Sequence, residues 1–179
     1  MESKIKYKDQ YFKLVDDFID IGYMAENIEV TDMQEQMKQI KRSHSDGAMT
    51  LLVSFPDTQE VFVKEMLVLD ELMSHIEVPI YCYFIVNENS EDIQLISKSL
   101  KKFEMVIDSE EEFGNMYGTK IIDGSLEDKL TKALFLISKD GAVFFLQMPE
   151  DISMPLDKDR LKVELNKAYV TYTGVGCHG

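Results

Sequence analysis

The apolar positions of the chain follow two periods, one typical of buried strands and one typical of amphipathic helices. Two apolar runs of strand length, residues 49–55 and 78–86, flank residues 58–76, in which apolar side chains recur at helical spacing. Runs without a polar face suit parallel strands that are covered on both sides. The pattern therefore predicts a β-α-β unit in the first half of the chain.

Two further elements are predicted before this unit. Residues 5–15 alternate between apolar and polar positions with one break in the middle, which predicts a short hairpin. Thr31 is a possible helix N-cap, and Gln34 lies in the capping-box position three residues later. We therefore expect a helix over residues 32–42.

Capping residues and turn signals predict the elements after the unit. Ser90 is a suitable N-cap for a helix over residues 90–102, and Ser109 with Glu112 forms a capping box for a short helix that ends near Gly118. Asp-Gly between two apolar runs is a strong hairpin signal. The remaining predicted elements are a strand at 105–107, hairpin strands at 133–137 and 142–148 around Asp140-Gly141, a last helix at 157–168, and a flexible tail at 169–179.

This order of elements predicts the fold class. A β-α-β half followed by a β-β-α half is the plan of a thioredoxin-like α/β fold, with a mixed central sheet and helices on both faces. An N-terminal hairpin would precede it. At 179 residues the chain has a normal length for one domain, and we expect a single domain over residues 1–179.

Charge and composition exclude several classes of partner. The formal net charge is −14, from 19 Lys and Arg against 33 Asp and Glu, which disfavours nucleic acid and anionic membrane surfaces. No stretch approaches the roughly 20 apolar residues of a membrane span, and the N-terminus lacks the apolar core of a signal peptide. With only two cysteines, a disulfide framework is not expected. We therefore expect a cytoplasmic protein.

Three segments carry a pattern more specific than the fold class. In the first, residues 117–137, a Tyr-Gly pair is followed by a glycine-containing turn with leucine, then by Lys132-Ala133 and a strand. The second segment is the predicted hairpin at residues 138–148 together with the residues that follow it up to Pro155. The third is residues 52–56, a strand that ends at Pro56. These segments resemble the thiol peroxidases, atypical two-cysteine peroxiredoxins, whose N-terminal hairpin is matched as well. The resemblance implies a peroxiredoxin-type fold, a thioredoxin-dependent peroxidase without a cofactor, and a homodimer.

The chain departs from this family at the residue that would carry its chemistry. The resemblance places a reactive cysteine in the first turn of the helix after Pro56, where the helix dipole favours a thiolate. One alignment puts Val63 at that position and Glu60 at the position of the family's threonine, and another puts Val61 there. Residues 56–66 contain neither Cys nor Ser. Valine has no nucleophilic group, and a carboxylate at residue 60 would raise the pKa of a neighbouring thiol.

The other two functional positions of the family are also changed. The helix that would carry the resolving cysteine contains Ser97 and Ser99 but no Cys. The family's basic residue before the central strand aligns with Lys132, which keeps a positive charge without the bidentate fork of Arg. Glu60 and Lys132 either meet as a remnant of a ligand-binding pocket, or are a helix-start carboxylate and a surface lysine without a shared role.

The two cysteines of the chain lie elsewhere. Cys82 falls within an apolar run and is expected to be a buried, inert thiol. Cys177 and His178 are adjacent near the end of the sequence, but two ligands do not make a zinc site, which needs about four. They belong either to an exposed tail without chemistry or to a reactive site that uses the Cys177 thiol. No metal site and no cofactor is expected.

Two functions remain open from the sequence. The first is a thiol peroxidase-like protein without peroxidase activity, acting as a binding or interaction module. It would be a homodimer in which Val61, Phe62 and Val68 form a packed surface. The alternative is a thiol-dependent peroxidase in which Cys177 supplies a relocated nucleophile.

Overall fold

The computed structural model describes residues 3–171, which form nine strands, four α-helices and one 3-10 turn. The strands are β1 (Lys4–Tyr7), β2 (Gln10–Lys13), β3 (Ile28–Thr31), β4 (Met37–Ile40), β5 (Met49–Ser54), β6 (Ile80–Val86), β7 (Phe103–Ile107), β8 (Ala133–Ile137) and β9 (Val143–Gln147). The helices are α1 (Glu60–Ser74), α2 (Glu91–Ser99), α3 (Glu112–Met116) and α4 (Lys158–Thr171), and the 3-10 turn is Gly124–Leu126.

Seven strands form one mixed sheet in the order β4-β3-β7-β6-β5-β8-β9, and β1 and β2 form a separate hairpin. The three central strands β5, β6 and β7 are parallel, while β8 runs antiparallel to β5 and β9 antiparallel to β8. On the other side, β3 joins β7 through the single antiparallel pair Thr31 and Ile107. The predicted α/β fold with a mixed central sheet and an N-terminal hairpin is therefore confirmed.

Two hydrophobic clusters lie on opposite faces of the sheet. All six residues of β5 are buried, and successive side chains alternate between the clusters because a strand has a period of two. Leu51 and Val53 belong to the cluster that contains buried residues of α1, α2 and α4. Leu52 belongs to the cluster that contains Phe113 and Tyr117, at α3. The expectation of helices on both faces of the sheet is thus confirmed.

Local signals correctly predict most of these elements. Ser90 caps α2, since its hydroxyl accepts a hydrogen bond from the backbone N–H of Ile93 at 3.1 Å. In the first hairpin, Lys8 and Asp9 both have positive φ, at 50° and 64°, which is the backbone that a tight two-residue hairpin turn requires. Gly141 closes the β8–β9 hairpin with φ of 92°.

The helix predicted over residues 32–42 is wrong. The segment instead forms a turn followed by β4, which pairs antiparallel with β3. The carboxylate of Asp32 accepts hydrogen bonds from the backbone N–H groups of Gln34 and Gln36, both at 2.9 Å. This local hydrogen bonding gives the backbone an alternative to a helix. Glu35 takes a positive φ of 63°, which directs the chain back along β3.

The short helix α3 is present, but Ser109 does not cap it. The hydroxyl of Ser109 lies 2.6 Å from that of Thr31 on β3. Instead Asp108, buried at the end of β7, accepts hydrogen bonds from the N–H groups of Phe113 and Gly114 at 2.9 and 2.8 Å. Burial raises the pKa of the Asp108 carboxyl, and these two hydrogen bonds partly oppose the rise.

The last helix is longer than predicted. It continues to Thr171, so residues 169–171 of the expected tail are helical. Residues 172–179, with Cys177 and His178, lie outside the described part of the chain. Among residues 3–171, no helix combines the length and apolar character needed to cross a membrane.

Candidate functional site

The loop between β5 and α1 is held by hydrogen bonds at the start of the helix. Pro56 is buried, and the next residue, Asp57, accepts hydrogen bonds at 3.0 Å from both the backbone N–H and the side-chain amide of Gln59. The Gln59 side-chain oxygen in turn accepts a hydrogen bond from the hydroxyl of Tyr7 in the N-terminal hairpin. The hairpin therefore fixes the loop from which α1 begins.

The first turn of α1 contains no nucleophile. Glu60 is 83% exposed and pairs with Lys64, one turn later, at 3.2 Å. Val61 is half exposed, Phe62 is fully buried, and Val63 is partly buried against the core. Both positions at which the resemblance could place a cysteine are thus occupied by valine at the start of the helix. Because Phe62 is a core residue, the expectation that it helps to form an exposed packed surface is wrong.

Lys132, expected as a partner of Glu60 or a surface lysine, is neither. Its side chain is 1% exposed, and its Nζ lies 2.6 Å from Oε1 of Glu65 and 2.7 Å from the carbonyl oxygen of Met154. Nζ also lies 5.7 Å from the centre of the Phe62 ring. The second oxygen of Glu65 accepts a hydrogen bond from the N–H of Leu156 at 2.7 Å. The cation therefore belongs to a closed, buried network.

Glu65, the partner of Lys132, was not among the residues predicted from the sequence. It follows Phe62 by three residues on the buried side of α1, whereas Glu60 faces solvent. The structure therefore brings Lys132 to Glu65 rather than to Glu60. A sequence signal existed, because Glu65 lies between Phe62 and Leu69 at helical spacing, and a carboxylate on an apolar helix face needs a buried partner.

Cys82, the one cysteine among the described residues, is distant from the start of α1 along the sheet. Cys82 lies on β6 and is 4% exposed. Its register partner Leu51 lies three residues before the end of β5, and α1 begins only after β5 has ended. Burial raises the pKa of its thiol to about 12. The expectation that Cys82 is a buried core thiol is confirmed.

A cleft opens beside Pro56, on the side of the loop that faces α2. Its volume is about 250 Å³, and neither Val63 nor Lys132 lines it. The lining residues come from the loops after β5 and β6, from α2 and from the segment before β8: Pro56, Asp57, Thr58, Val86, Asn87, Glu88, Asn89, Ser90, Ile93 and Lys129. Within residues 3–171, no group of three or more His, Cys, Asp or Glu side chains is arranged to hold a metal ion.

Solved structures with the same architecture identify the fold. A peroxiredoxin-like protein from Aquifex aeolicus superposes with a TM-score of 0.85, over 93% of this chain and 97% of that one, at 18% sequence identity. This chain has the peroxiredoxin fold. A thiol peroxidase from Chromobacterium violaceum follows the same peroxiredoxin fold with a TM-score of 0.75 over 92% of this chain and 96% of its own, at 16% identity.

A third neighbour with the peroxiredoxin fold is more distant. It is a reduced 2-Cys peroxiredoxin from Plasmodium vivax, with a TM-score of 0.63 and 15% identity, covering 85% of this chain and 84% of its own. No protein-family model and no curated protein sequence matches the chain. At these identities the likeness confirms the resemblance for the peroxiredoxin fold, and the chemistry has to be argued from the side chains.

Proposed function

We propose that this protein is a thiol peroxidase-like binding or interaction module without peroxidase activity. The observation that supports the proposal is the first turn of α1, which contains neither Cys nor Ser; the resemblance assigns the cysteine position there to Val63 or, in the other alignment, to Val61. A peroxide is reduced when a thiolate sulfur attacks one of its oxygens, and a valine side chain offers no electron pair for that attack.

The state of Lys132 supports the same proposal. A cation beside a reactive thiol favours the thiolate and stabilises developing charge on the substrate. Here the ammonium of Lys132 already donates to Glu65 and to the Met154 carbonyl, and its charge is matched by that carboxylate. This arrangement stabilises the packing of α1 and leaves no free cation from Lys132 for a peroxide.

Cys82 does not replace the missing nucleophile. With a pKa of about 12, its thiolate fraction at neutral pH is very small, because burial in apolar surroundings disfavours the charged form. Its place in the centre of the sheet also separates it from the cleft beside Pro56, which Cys82 does not line.

The experiment is a peroxide-consumption assay with a thioredoxin couple and the full, reduced chain. Wild type is compared with Cys82→Ala, Cys177→Ala and the variant that carries both changes. We expect the same low rate in all four proteins. A wild-type rate that disappears in Cys177→Ala would contradict the proposal and favour the alternative peroxidase with a relocated Cys177. A rate that disappears only in Cys82→Ala would contradict it as well.

We further propose a homodimer of single-domain chains in the cytoplasm, as the resemblance implies. Of the three residues expected to form the contact surface, Phe62 is buried, whereas Val61 and Val68 on α1 are each 50% exposed. Sedimentation velocity on wild type and on a Val61→Asp, Val68→Asp variant tests this assembly. We expect wild type to sediment as a dimer and the variant as a monomer, and a monomeric wild type would contradict the proposal.

A further inference from the structure

A groove with exposed apolar walls lies on the segment between the N-terminal hairpin and β3. Its volume is about 370 Å³, and most of its apolar surface comes from four side chains. Phe18, Tyr23 and Met24 are 58%, 53% and 48% exposed, and Met116 at the end of α3 is 38% exposed. These side chains therefore offer apolar surface directly to a partner.

Hydrogen bonds and ring stacking hold the groove in shape. The hydroxyl of Tyr117 bonds both the N–H and the carbonyl of Glu26, and the carbonyl of Tyr23 accepts from the N–H of Val143 on β9 at 2.8 Å. The rings of Phe18 and Tyr23 stack with their centres 6.2 Å apart. A surface that is already ordered pays less conformational entropy on binding. Because these main-chain groups are already bonded, the groove offers side chains to a partner and not a free strand edge.

The apolar surface continues beyond this groove. Met24 also lines a neighbouring depression of about 450 Å³, to which Ile21 contributes a side chain that is 54% exposed. Single exposed apolar residues are ordinary on a protein surface, whereas contiguous ones mark interaction sites. Aromatic residues and Met are also the types enriched at protein–protein interfaces. The surface therefore suits a segment of another protein.

The charge around the groove indicates the chemistry of that partner. Residues 14–37 include seven acidic residues and no Lys or Arg, whereas the whole chain has 19 basic residues against 33 acidic ones. Two of the seven, Asp17 and Glu26, are exposed and line the groove itself beside its apolar walls. Arg42 lies next to this segment but donates to the carbonyl of Ala25 at 3.2 Å and does not line the groove. The groove therefore attracts a basic partner and repels an acidic one.

We propose that this groove binds a basic amphipathic helix of a partner protein. Apolar side chains on one face of that helix cover Phe18, Tyr23 and Met24, and Lys or Arg side chains beside that face pair with Asp17 and Glu26. An amphipathic helix in an apolar groove is a common mode of protein recognition. A second copy of this chain is a poor occupant, because two grooves face to face would bring their carboxylates together. This inference rests on the proposed binding or interaction module, because it names the partner of that module.

Fluorescence anisotropy with the full chain tests the partner chemistry. The probe is a labelled synthetic peptide of Leu and Lys, about 18 residues long so that it can form a helix, with all Leu on one face. One control peptide has the same composition in an order without an apolar face, and the other has Glu in place of Lys. We expect the amphipathic Lys peptide to bind about tenfold or more tightly than either control. Equal binding of the reordered peptide, or no binding of the amphipathic Lys peptide at about 1 mM, would overturn the proposal.

Apolar variants locate the site of binding. Phe18→Ser combined with Tyr23→Ser should weaken binding of the amphipathic Lys peptide by about tenfold or more. Tyr11→Ser combined with Leu95→Ser is the matched control, because both residues are even more exposed and lie outside the groove, and it should leave binding unchanged. Thermal unfolding of each double variant controls for folding. Equal peptide binding by the two double variants would overturn the assignment to this groove.

Charge variants separate local pairing from the general attraction of an acidic protein. Asp17→Asn combined with Glu26→Gln should weaken the same peptide by about fivefold. Glu127→Gln combined with Asp159→Asn removes the same net charge at exposed positions outside the groove, and its effect should be much smaller. Equal effects of the two double variants would show that only the overall charge attracts the peptide, and would overturn the proposal.

Two further measurements separate this proposal from a second copy and from the proposed function. Without peptide, sedimentation velocity should give the Phe18→Ser, Tyr23→Ser variant the same oligomeric state as wild type. A wild-type dimer that this variant loses would assign the groove to a second copy and overturn the proposal. Peroxide consumption by the same wild-type sample would overturn the proposed absence of peroxidase activity alone, and failure of the peptide to bind would overturn the groove alone.

Discussion

The ammonium of Lys132 lies 2.6 Å from the carboxylate of Glu65, with the two side chains exposed by only 1% and 11%. Both charges have been removed from water, which costs several kcal/mol per ion unless the remaining donors and acceptors are satisfied. The Met154 carbonyl and the Leu156 N–H satisfy them. The pair thereby joins α1, the start of β8 and the loop before α4.

Glu65→Ala should destabilise the protein by about 3–5 kcal/mol, because it leaves the Lys132 charge buried without a partner. Urea denaturation followed by circular dichroism measures the free energy of unfolding. Glu60→Ala is the matched control on the same helix, since Glu60 is exposed and its pair with Lys64 contributes little. Similar losses for the two variants would show that the buried pair is not formed.

A double variant tests the cause of that loss. Glu65→Leu combined with Lys132→Met should recover part of the stability lost in Glu65→Ala, because apolar residues of similar volume can replace a buried ion pair. Recovery is partial because the Met154 carbonyl and the Leu156 N–H lose their partners in the double variant. The same urea experiment applies, and a double variant as unstable as Glu65→Ala would contradict the uncompensated Lys132 charge as the main cause of the loss.

Asp70 should be as important to the fold as this ion pair. Its buried carboxylate accepts hydrogen bonds from the backbone N–H groups of Lys101, Lys102 and Phe103, at 2.8, 2.9 and 2.9 Å. Asp70→Ala leaves three donors without their acceptor, and we expect a loss of roughly 2–4 kcal/mol in the free energy of unfolding. Hydrogen exchange of amides 101–103 should accelerate selectively. Glu77→Ala, at an exposed position, is the control, and equal exchange in both variants would contradict this role.

Burial of Cys82 gives a chemical prediction. In a Cys177→Ala background, iodoacetamide at about pH 8 should leave Cys82 unlabelled in the native protein and label it after unfolding in urea, because the thiol is 4% exposed. Intact-mass spectrometry counts the added groups. Rapid labelling of the native variant would place the thiol at the surface and contradict the fold at β6.

The raised pKa of Cys82 also predicts a pH dependence of stability. The ordinary value is 9.0 and the folded value is about 12, so the unfolded chain loses its proton first as the pH rises. The stability contributed by the protonated thiol is fully present below about pH 9 and is lost progressively towards pH 12. The stability difference between wild type and Cys82→Ala should therefore shrink by about 1.4 kcal/mol between about pH 8 and pH 10. A constant difference would contradict the raised pKa.

Two glycines with nearly the same backbone φ angle allow a matched comparison of glycine-to-alanine substitutions. Gly118 and Gly47 have φ of 75° and 77°, but a Cβ at residue 118 would lie 2.5 Å from the carbonyl oxygen of Asp17, whereas residue 47 has open space. Gly47→Ala should cost roughly 1–2 kcal/mol for the left-handed backbone. Gly118→Ala should cost a further 1–3 kcal/mol because the main chain of Asp17 has to move. Equal thermal stability of the two variants would contradict the close approach.

The sequence predicted the sheet and its helices where local signals agreed with tertiary packing. The all-apolar run of β5 and the Ser90 cap of α2 are examples. The helix after Thr31 was predicted wrongly because Thr31 and Gln34 have the spacing of a capping box, while pairing with β3 and the Asp32 carboxylate favour a hairpin. An Asp side chain that bonds the backbone two residues later is a turn signal, and the sequence analysis did not take Asp32 into account.

The contacts of the charged residues at the candidate site could not be predicted from the sequence. Valine at both candidate positions follows from the sequence alone. The partner of Lys132 does not, because Glu65 is 67 residues away and only the packing of α1 against β8 joins them.

Under the proposed function, no thiol of this chain is activated for reaction with peroxide. The most direct measurement is the second-order rate constant for oxidation of the fully reduced, full-length protein by hydrogen peroxide, followed by quenched-flow alkylation and mass spectrometry. We predict a rate no faster than that of free cysteine for either Cys82 or Cys177. Oxidation of either thiol orders of magnitude faster than free cysteine would contradict the account.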